Sequence, residues 1–476
     1  MEYRDKILSF LLLHSLEDSS VIVRFRRPNK SGFHEEPVRQ NQCHRLPQPM
    51  PRSFSMTCIR RNPFLHSPIL FPLTVALALL LLVGCDSSAP DTDGDGVADA
   101  LDAFPMDPTE TSDFDGDGIG DRLDADPEDA TRTSYASPGP YTVGITTLEM
   151  GDRQLEVFYP VEEGAAEGVE PASYDLIDPF PESVQTLILL QAPDINAPID
   201  LPAYRDLPSS RYGPFPVILF SHGSGGFRRA YSKYLSGVAS HGFVVASLDH
   251  LEWGLLSRLG LGPPEESARE PGELILSALT LLDTEYQDPD SVLSGTADTS
   301  QVATIGHSAG GRAAFSTESQ QNPNIKTMIG YATVPFEEIP EKPVLLLLGA
   351  EDLAVTTETT LAVYDLLAFE KRYASVDGAG HNSFTDQCEV LFEGNDIIAA
   401  AQFIFGDAFP DSLVALARDG CEPDNLAPRD FWEVAQHFTV AHVRKAFSLN
   451  SEPRGLTAGA ASLFEDITVD YRFEEP

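Results

Sequence analysis

A doubly wound, mostly parallel α/β sheet is the fold class this sequence predicts, and three observations predict it. Short apolar runs recur at intervals long enough to hold a helix. One of them, Val302 to Ile305, leads straight into the glycine-flanked Gly306-His307-Ser308-Ala309-Gly310. Two later runs end on a carboxylate, Asp352, and on a histidine, His381. Strands alternating with helix-length segments build a sheet covered on both faces, and such sheets keep their functional groups beyond the carboxyl ends of the strands.

In chain order, strands are predicted at 144–150, 154–159, 216–220, 243–248, 301–305, 327–332, 343–348 and 371–376. Tyr231, Leu235 and Val238 give a helix its apolar face, and Trp432, Val434, Phe438, Val440, Val443 and Phe447 suggest a closing C-terminal helix whose pattern is only partly regular. Two long segments bearing Pro and Glu, 161–212 and 251–266, stand where short connections would suffice and are expected to roof the site.

The chemistry is written around Ser308. Glycines two residues to either side suit a strained strand-to-helix turn, where a Cβ would strike a neighbouring strand or helix. The alanine-rich Gly311 to Phe315 can continue as a helix. Pro343 to Leu348 ends in Gly349-Ala350-Glu351-Asp352, and Tyr373 to Val376 runs into Asp377-Gly378-Ala379-Gly380-His381. The order Ser308, Asp352, His381 is that of an α/β-hydrolase, with nucleophile, acid and base each following a strand. Asp249 competes with Asp352 as the acid, while His222, His250 and His307 are expected to shape the pocket. Ser221-His222-Gly223-Ser224-Gly225-Gly226 can turn a backbone N–H toward a developing alkoxide, beside the Ala309 amide.

At these residues the chain resembles the α/β-hydrolases related to platelet-activating factor acetylhydrolase, a group similar also to dienelactone hydrolase-like and polyester-cleaving esterases. The resemblance rests on Gly139 to Gly144, Val157 to Pro160, Phe220 to Gly226, Gly306 to Gly311 and Gly380 to Asp386, within a catalytic domain expected at 139–470. It implies Ser308 as nucleophile, Asp352 as orienting acid, His381 as base, and an oxyanion hole from the Ser224 and Ala309 amides. It implies a serine esterase or lipase acting on an ester or lipid, like a 1-alkyl-2-acetylglycerophosphocholine esterase, with no cofactor in catalysis.

The N-terminal part reads differently. Residues 1–55 carry no signal pattern and are expected to be a disordered upstream extension, with Met56 the initiator. Residues 56–85 have a charged start, an apolar stretch and a Leu82-Val83-Gly84-Cys85 ending that resembles a bacterial lipobox, so export and acylation of Cys85 are expected. That places the protein in the cell envelope, held to a membrane by lipid. The mature cysteines are then Cys85, Cys388 and Cys421, and the last two are free to pair in an oxidising compartment.

Between these parts, within 86–130, two acidic loops repeat 22 residues apart. Asp91, Asp93, Asp95, the Val97 carbonyl and Asp102 take the positions of calcium ligands. Asp113, Asp115, Asp117, the Ile119 carbonyl and Asp124 repeat them. Prolines exclude long flanking helices, so the pair resembles thrombospondin type 3 repeats: an irregular stalk binding structural Ca²⁺. The net charge of −41 lies wholly after residue 84 and argues against nucleic acid as a partner. Two other readings remain, a dienelactone-like or polyester-cleaving hydrolase using the same residues, and a calcium-dependent surface lipoprotein with an inactive hydrolase fold.

Overall fold

The computed structural model describes residues 90–105, 110–114, 120–121, 134–191, 198–264, 268–333, 338–450, 454–464 and 466–475. The upstream extension, the signal and lipobox with Cys85, and Asp115, Asp117, Ile119 and Asp124 of the second acidic loop lie outside the described residues.

The strands are β1 Val143–Met150, β2 Arg153–Pro160, β3 Ser173–Tyr174, β4 Ile199–Asp200, β5 Tyr204–Arg205, β6 Phe215–Ser221, β7 Val244–Leu248, β8 Ala297–His307, β9 Ile325–Tyr331, β10 Val344–Gly349, β11 Lys371–Val376 and β12 Val469–Glu474. They form a ten-stranded sheet ordered β12-β11-β10-β9-β8-β6-β7-β2-β1-β5, with β3 and β4 paired apart. From β7 through β6, β8, β9 and β10 to β11 every pairing is parallel. Helices cover both faces of this centre, which is why β10 is a continuous apolar run and β7 is apolar but for Ser247, with every residue of both buried. All eight strands read from the sequence are present; β8 begins four residues earlier, beyond a register shift against β6. The antiparallel edge strand β12 went unread, although Val469, Tyr471 and Phe473 alternate with Asp470, Arg472 and Glu474.

The helices are α1 Glu182–Gln191, α2 Ser232–Ala239, α3 Leu255–Arg258, α4 Pro271–Gln287, α5 Gly311–Ala314, α6 Thr317–Gln321, α7 Thr357–Leu366, α8 Asp386–Phe392, α9 Ile397–Phe405, α10 Asp411–Arg418 and α11 Pro428–Ala446. The helix expected after the Ser308 turn is present and short. A 3₁₀ turn at Ser308–Gly310 gives way to four helical residues, and Ser316 then caps α6 by accepting from the Ser319 N–H. The irregular pattern of α11 has a physical cause, since the helix is buried nearly all round. Its polar residues are satisfied inside: the Gln436 amide donates to the Tyr135 carbonyl at 2.8 Å, and His442 Nε2 meets the Thr327 hydroxyl at 2.7 Å.

A second, smaller apolar cluster stands apart from the main core. It joins Ile177, Phe180 and Ile188 of the first insertion, Leu259 after α3, and Leu391, Ile398, Ile404 and Phe409 of the 386–421 region. The two insertions thus form a cap, as expected; its third piece did not show in the sequence. Cys388 and Cys421 form a disulfide within this cluster, the pairing their isolation suggested. Asp386 fastens the cap from below. Its carboxylate accepts the Tyr174 hydroxyl at 2.9 Å and the Lys233 N–H at 3.2 Å, and burial pushes its carboxyl up to about 7, against the pull of Lys233.

The sign follows from linkage. Between the unfolded carboxyl value and about 7 the folded chain binds more protons at Asp386 than the unfolded chain does, so this group costs stability as pH rises through that window. Asp386→Asn removes the titration. The Tm of the wild type relative to the variant is expected to fall by several degrees between pH 4 and pH 7 in thermal melts, and a constant difference would contradict the assignment.

Candidate active site

Ser308 sits at φ +50° directly after β8, a backbone conformation that L residues seldom adopt. Its neighbours make the turn possible. A Cβ on Gly306 would lie 2.5 Å from the Gly310 carbonyl oxygen, and one on Gly310 would lie 2.1 Å from the carbonyl oxygen of Ser221 at the end of β6. Only glycine fits at either place.

Asp352 follows β10 and His381 follows β11, and the sheet brings them together. His381 Nδ1 donates to Asp352 Oδ2 at 2.8 Å, with both side chains buried. Asp352 Oδ1 accepts the N–H groups of Ala354 and Val355 at 2.8 and 2.6 Å, so the carboxylate is held from both sides. Among the described residues no hydrogen bond joins Ser308 Oγ to His381, a contact that in many free enzymes closes only when substrate binds.

Asp419 is a residue that sequence reasoning missed. One carboxylate oxygen accepts the His381 N–H at 3.2 Å and the other the Leu353 N–H at 2.9 Å, while its carbonyl accepts the Asn382 N–H at 2.8 Å. A single side chain therefore ties the loop of Asp352 to the loop of His381. It lies 38 residues beyond His381, and no spacing rule connects the two.

The glycine-rich loop after β6 lies against Ser308. Its Gly223 N–H goes to the Tyr231 hydroxyl, Gly225 N–H to the Trp253 carbonyl and Gly226 N–H to the Gly223 carbonyl, which leaves the Ser224 amide among the described residues for another acceptor. His307 links three parts of the site. Nδ1 accepts the Tyr231 hydroxyl at 2.8 Å and Nε2 donates to the His381 carbonyl at 2.9 Å. Burial, and then the nearby His381, hold its pKa well below the ordinary value, so the ring stays neutral and keeps this donor and acceptor pattern. Buried His222 is likewise depressed by desolvation.

Asp249, the rival acid, meets an arginine instead of a histidine. Arg228 donates to it at 2.9 Å and also reaches Glu156 on β2, which Arg205 and Arg229 join at 2.8 and 2.9 Å. Burial pushes the Glu156 carboxyl up, but three guanidiniums outweigh it and the net shift is downward. Removing one member of such a cluster strands buried charge, so its role is to hold the cap's Asp178 and the glycine-rich loop to the sheet.

A cavity of about 130 Å³ opens beside these groups. Gly223, Ser224, His307 and His381 bound one end; the cap bounds the rest with Ile177, Phe180, Ile188, Ile398 and Phe405 among others. Arg258, whose guanidinium bonds the Ser224 hydroxyl, is the only cation among the lining residues.

The first acidic loop is the candidate metal centre. Carboxylate oxygens of Asp91, Asp93 and Asp95 lie within 4.8 Å of one another, and Oδ2 of Asp93, Asp95 and Asp102 is buried without a hydrogen bond. The companion oxygens accept loop N–H groups, from Asp95 to Asp93 and from Val97 to Asp95 at 3.2 and 2.7 Å. Orphaned, converging oxygens on a braced loop fit a hard dication. Burial, with the charges of Asp95, Asp102 and Asp91, raises the Asp93 carboxyl, as expected where anions crowd. The loop is not a free-standing stalk, because the Asp93 carbonyl accepts the Tyr212 hydroxyl at 2.9 Å and Arg211 at 3.3 Å. Those residues precede β6, at the end of the sheet opposite Ser308.

A mostly parallel sheet flanked by helices, with a strained serine, an acid and a histidine beyond the ends of three parallel strands, is the arrangement of an α/β-hydrolase fold. Residues 130–254 match the family model for platelet-activating factor acetylhydrolase, isoform II, and 206–334 that for chlorophyllase. The chain is 26% identical to platelet-activating factor acetylhydrolase of Cavia porcellus over 52% of its own length and 67% of the relative's. It is 30% identical to the Bos taurus protein of that name over 22% and 32% of the two chains, and 31% identical to a putative phospholipase A2 of Schizosaccharomyces pombe over 20% and 24%. It thus spans about two thirds of one relative and a third or less of the other two.

Asp419 touches no reacting atom and is a positioning residue. Asp419→Ala is expected to lower kcat for a soluble ester about 10- to 100-fold with KM nearly unchanged, and Asp419→Asn, which keeps one acceptor, by less. Loss of Tm with kcat unchanged would make the role purely structural.

Proposed function

We propose that the protein is a serine hydrolase of carboxylic esters, and of lipid esters in particular. The observation that carries this reading is the strained Ser308 turn facing a buried, hydrogen-bonded Asp352–His381 pair. Ser308 Oγ attacks the ester carbonyl while His381 Nε2 takes its proton. Asp352 fixes the proton on Nδ1 and stabilises the imidazolium, and the Ser224 and Ala309 amides receive the oxyanion. The imidazolium then protonates the departing alcohol, and water, deprotonated by the same ring, releases the acid from Ser308. The similarity to acetylhydrolases and a phospholipase supports a lipid ester as substrate, and the apolar cavity supports it independently. The same residues would serve dienelactone or polyester cleavage. The Asp352–His381 hydrogen bond speaks against a purely binding protein.

In the same reading, residues 56–85 export the protein and lipid on Cys85 holds it in a bacterial envelope. Ca²⁺ is structural, held by Asp91, Asp93, Asp95, Val97 and Asp102, and by the second loop's Asp113, Asp115, Asp117, Ile119 and Asp124. The disulfide suits an oxidising compartment.

Ser308→Ala is expected to reduce turnover of p-nitrophenyl acetate and of 1-alkyl-2-acetylglycerophosphocholine about 10⁴-fold while the fold survives, and near-normal hydrolysis would end the mechanism. Asp352→Asn should be severe and Asp249→Asn mild; the reverse would move the acid to β7. Chelation of calcium should speed proteolysis between Asp91 and Asp124 as the crowded carboxylates repel, with ester turnover nearly unchanged. A calcium-reversible collapse of turnover would place a metal's influence in the site itself.

A further inference from the structure

The cavity has a shape that the Ser308 chemistry alone does not require. Resting on the esterase reading, we infer that it holds the acyl chain of the substrate and that the chain is an aliphatic one of about eight to ten carbons, not acetyl.

Position assigns the acyl side of the ester. One end of the cavity is bounded by Ser224 and His381, the groups on either side of the carbonyl that Ser308 attacks. The acyl group stays covalently on Ser308 between the two half-reactions, whereas the alcohol must leave. A space closed over by the cap suits the group that stays.

Chemistry assigns a hydrocarbon. Beyond the catalytic end the wall is built chiefly from Ile177, Phe180, Ile188, Ile398, Ile404 and Phe405, and the stacked rings of Phe180 and Phe405, 5.5 Å apart, join the first insertion to α9. An acetyl group would leave this surface empty. Size assigns the length, since a water occupies roughly 10–15 Å³ of such space and a methylene somewhat more, about 13–16 Å³, so about 130 Å³ takes a chain of about eight to ten carbons.

Burying each methylene should raise kcat/KM about threefold to fourfold until the cavity is full. The test is a series of p-nitrophenyl esters from acetate to dodecanoate, below their aggregation limits, with the full-length protein. Expected is a rise through octanoate and a plateau or fall beyond decanoate. Ala401→Phe, which pushes a ring into the wall, should lower the octanoate-to-acetate ratio of kcat/KM at least tenfold. Ile404→Ala, which enlarges the space, should move the plateau to longer chains and serves if the first variant does not fold. A preference for acetate over octanoate would overturn the inference while leaving the esterase reading intact. So would octyl acetate gaining as much as octanoate esters, which would put the alcohol in the cavity. Failure to turn over any ester, acetate included, would overturn the esterase reading itself.

Discussion

The contact on which the rest of the site depends is the approach of Gly310 to the end of β6. With no Cβ at Gly310 the turn after β8 presses against the Ser221 and His222 carbonyls, and with none at Gly306 it closes on itself. That closeness holds Ser308 at φ +50° and brings its Cβ against Gly223 of the neighbouring loop. Ser308 and the glycine-rich loop after β6 are therefore set by one piece of backbone packing. Flexible side chains play little part in it. Strain of this kind persists only where the surroundings over-determine it, and here two buried parallel strands do so.

A second layer of constraint runs through polar groups that carry no charge of their own or are fully paired. Neutral His307 joins Tyr231 to the His381 loop, Asp419 joins that loop to the one after β10, and Glu156 with three arginines joins the glycine-rich loop to β2. Each bond crosses between segments far apart in the chain. Together they hold the strand ends at fixed separation where regular hydrogen bonding has stopped.

Much of this was legible in the residues. The eight principal strands follow from apolar runs, and Ser308, Asp352 and His381 from glycine-rich turns behind three of them, because both signals are local. What stayed hidden is non-local. Asp419 acts on backbone groups in two other loops, and its neighbourhood, Arg418-Asp419-Gly420-Cys421, reads as an ordinary turn. The third part of the cap was hidden because α9 and α10 present their apolar faces to an insertion more than two hundred residues earlier, not to the sheet. The docking of the first acidic loop on Tyr212 rests on a backbone carbonyl, to which composition is blind.

The disulfide has an evolutionary consequence. Cys388 and Cys421 close off α9, α10 and their connections as a bridged segment, and the apolar side chains of α9 and α10 belong to the small cluster and not to the main core. Substitutions in α9 and α10 can therefore reshape one wall of the cavity without disturbing the sheet that carries Ser308, Asp352 and His381. Asp419, just inside the bridge, is the exception and sets the limit of that freedom. The fold thus separates a part whose side chains can vary from a part whose side chains cannot, and the bridge marks the boundary between them.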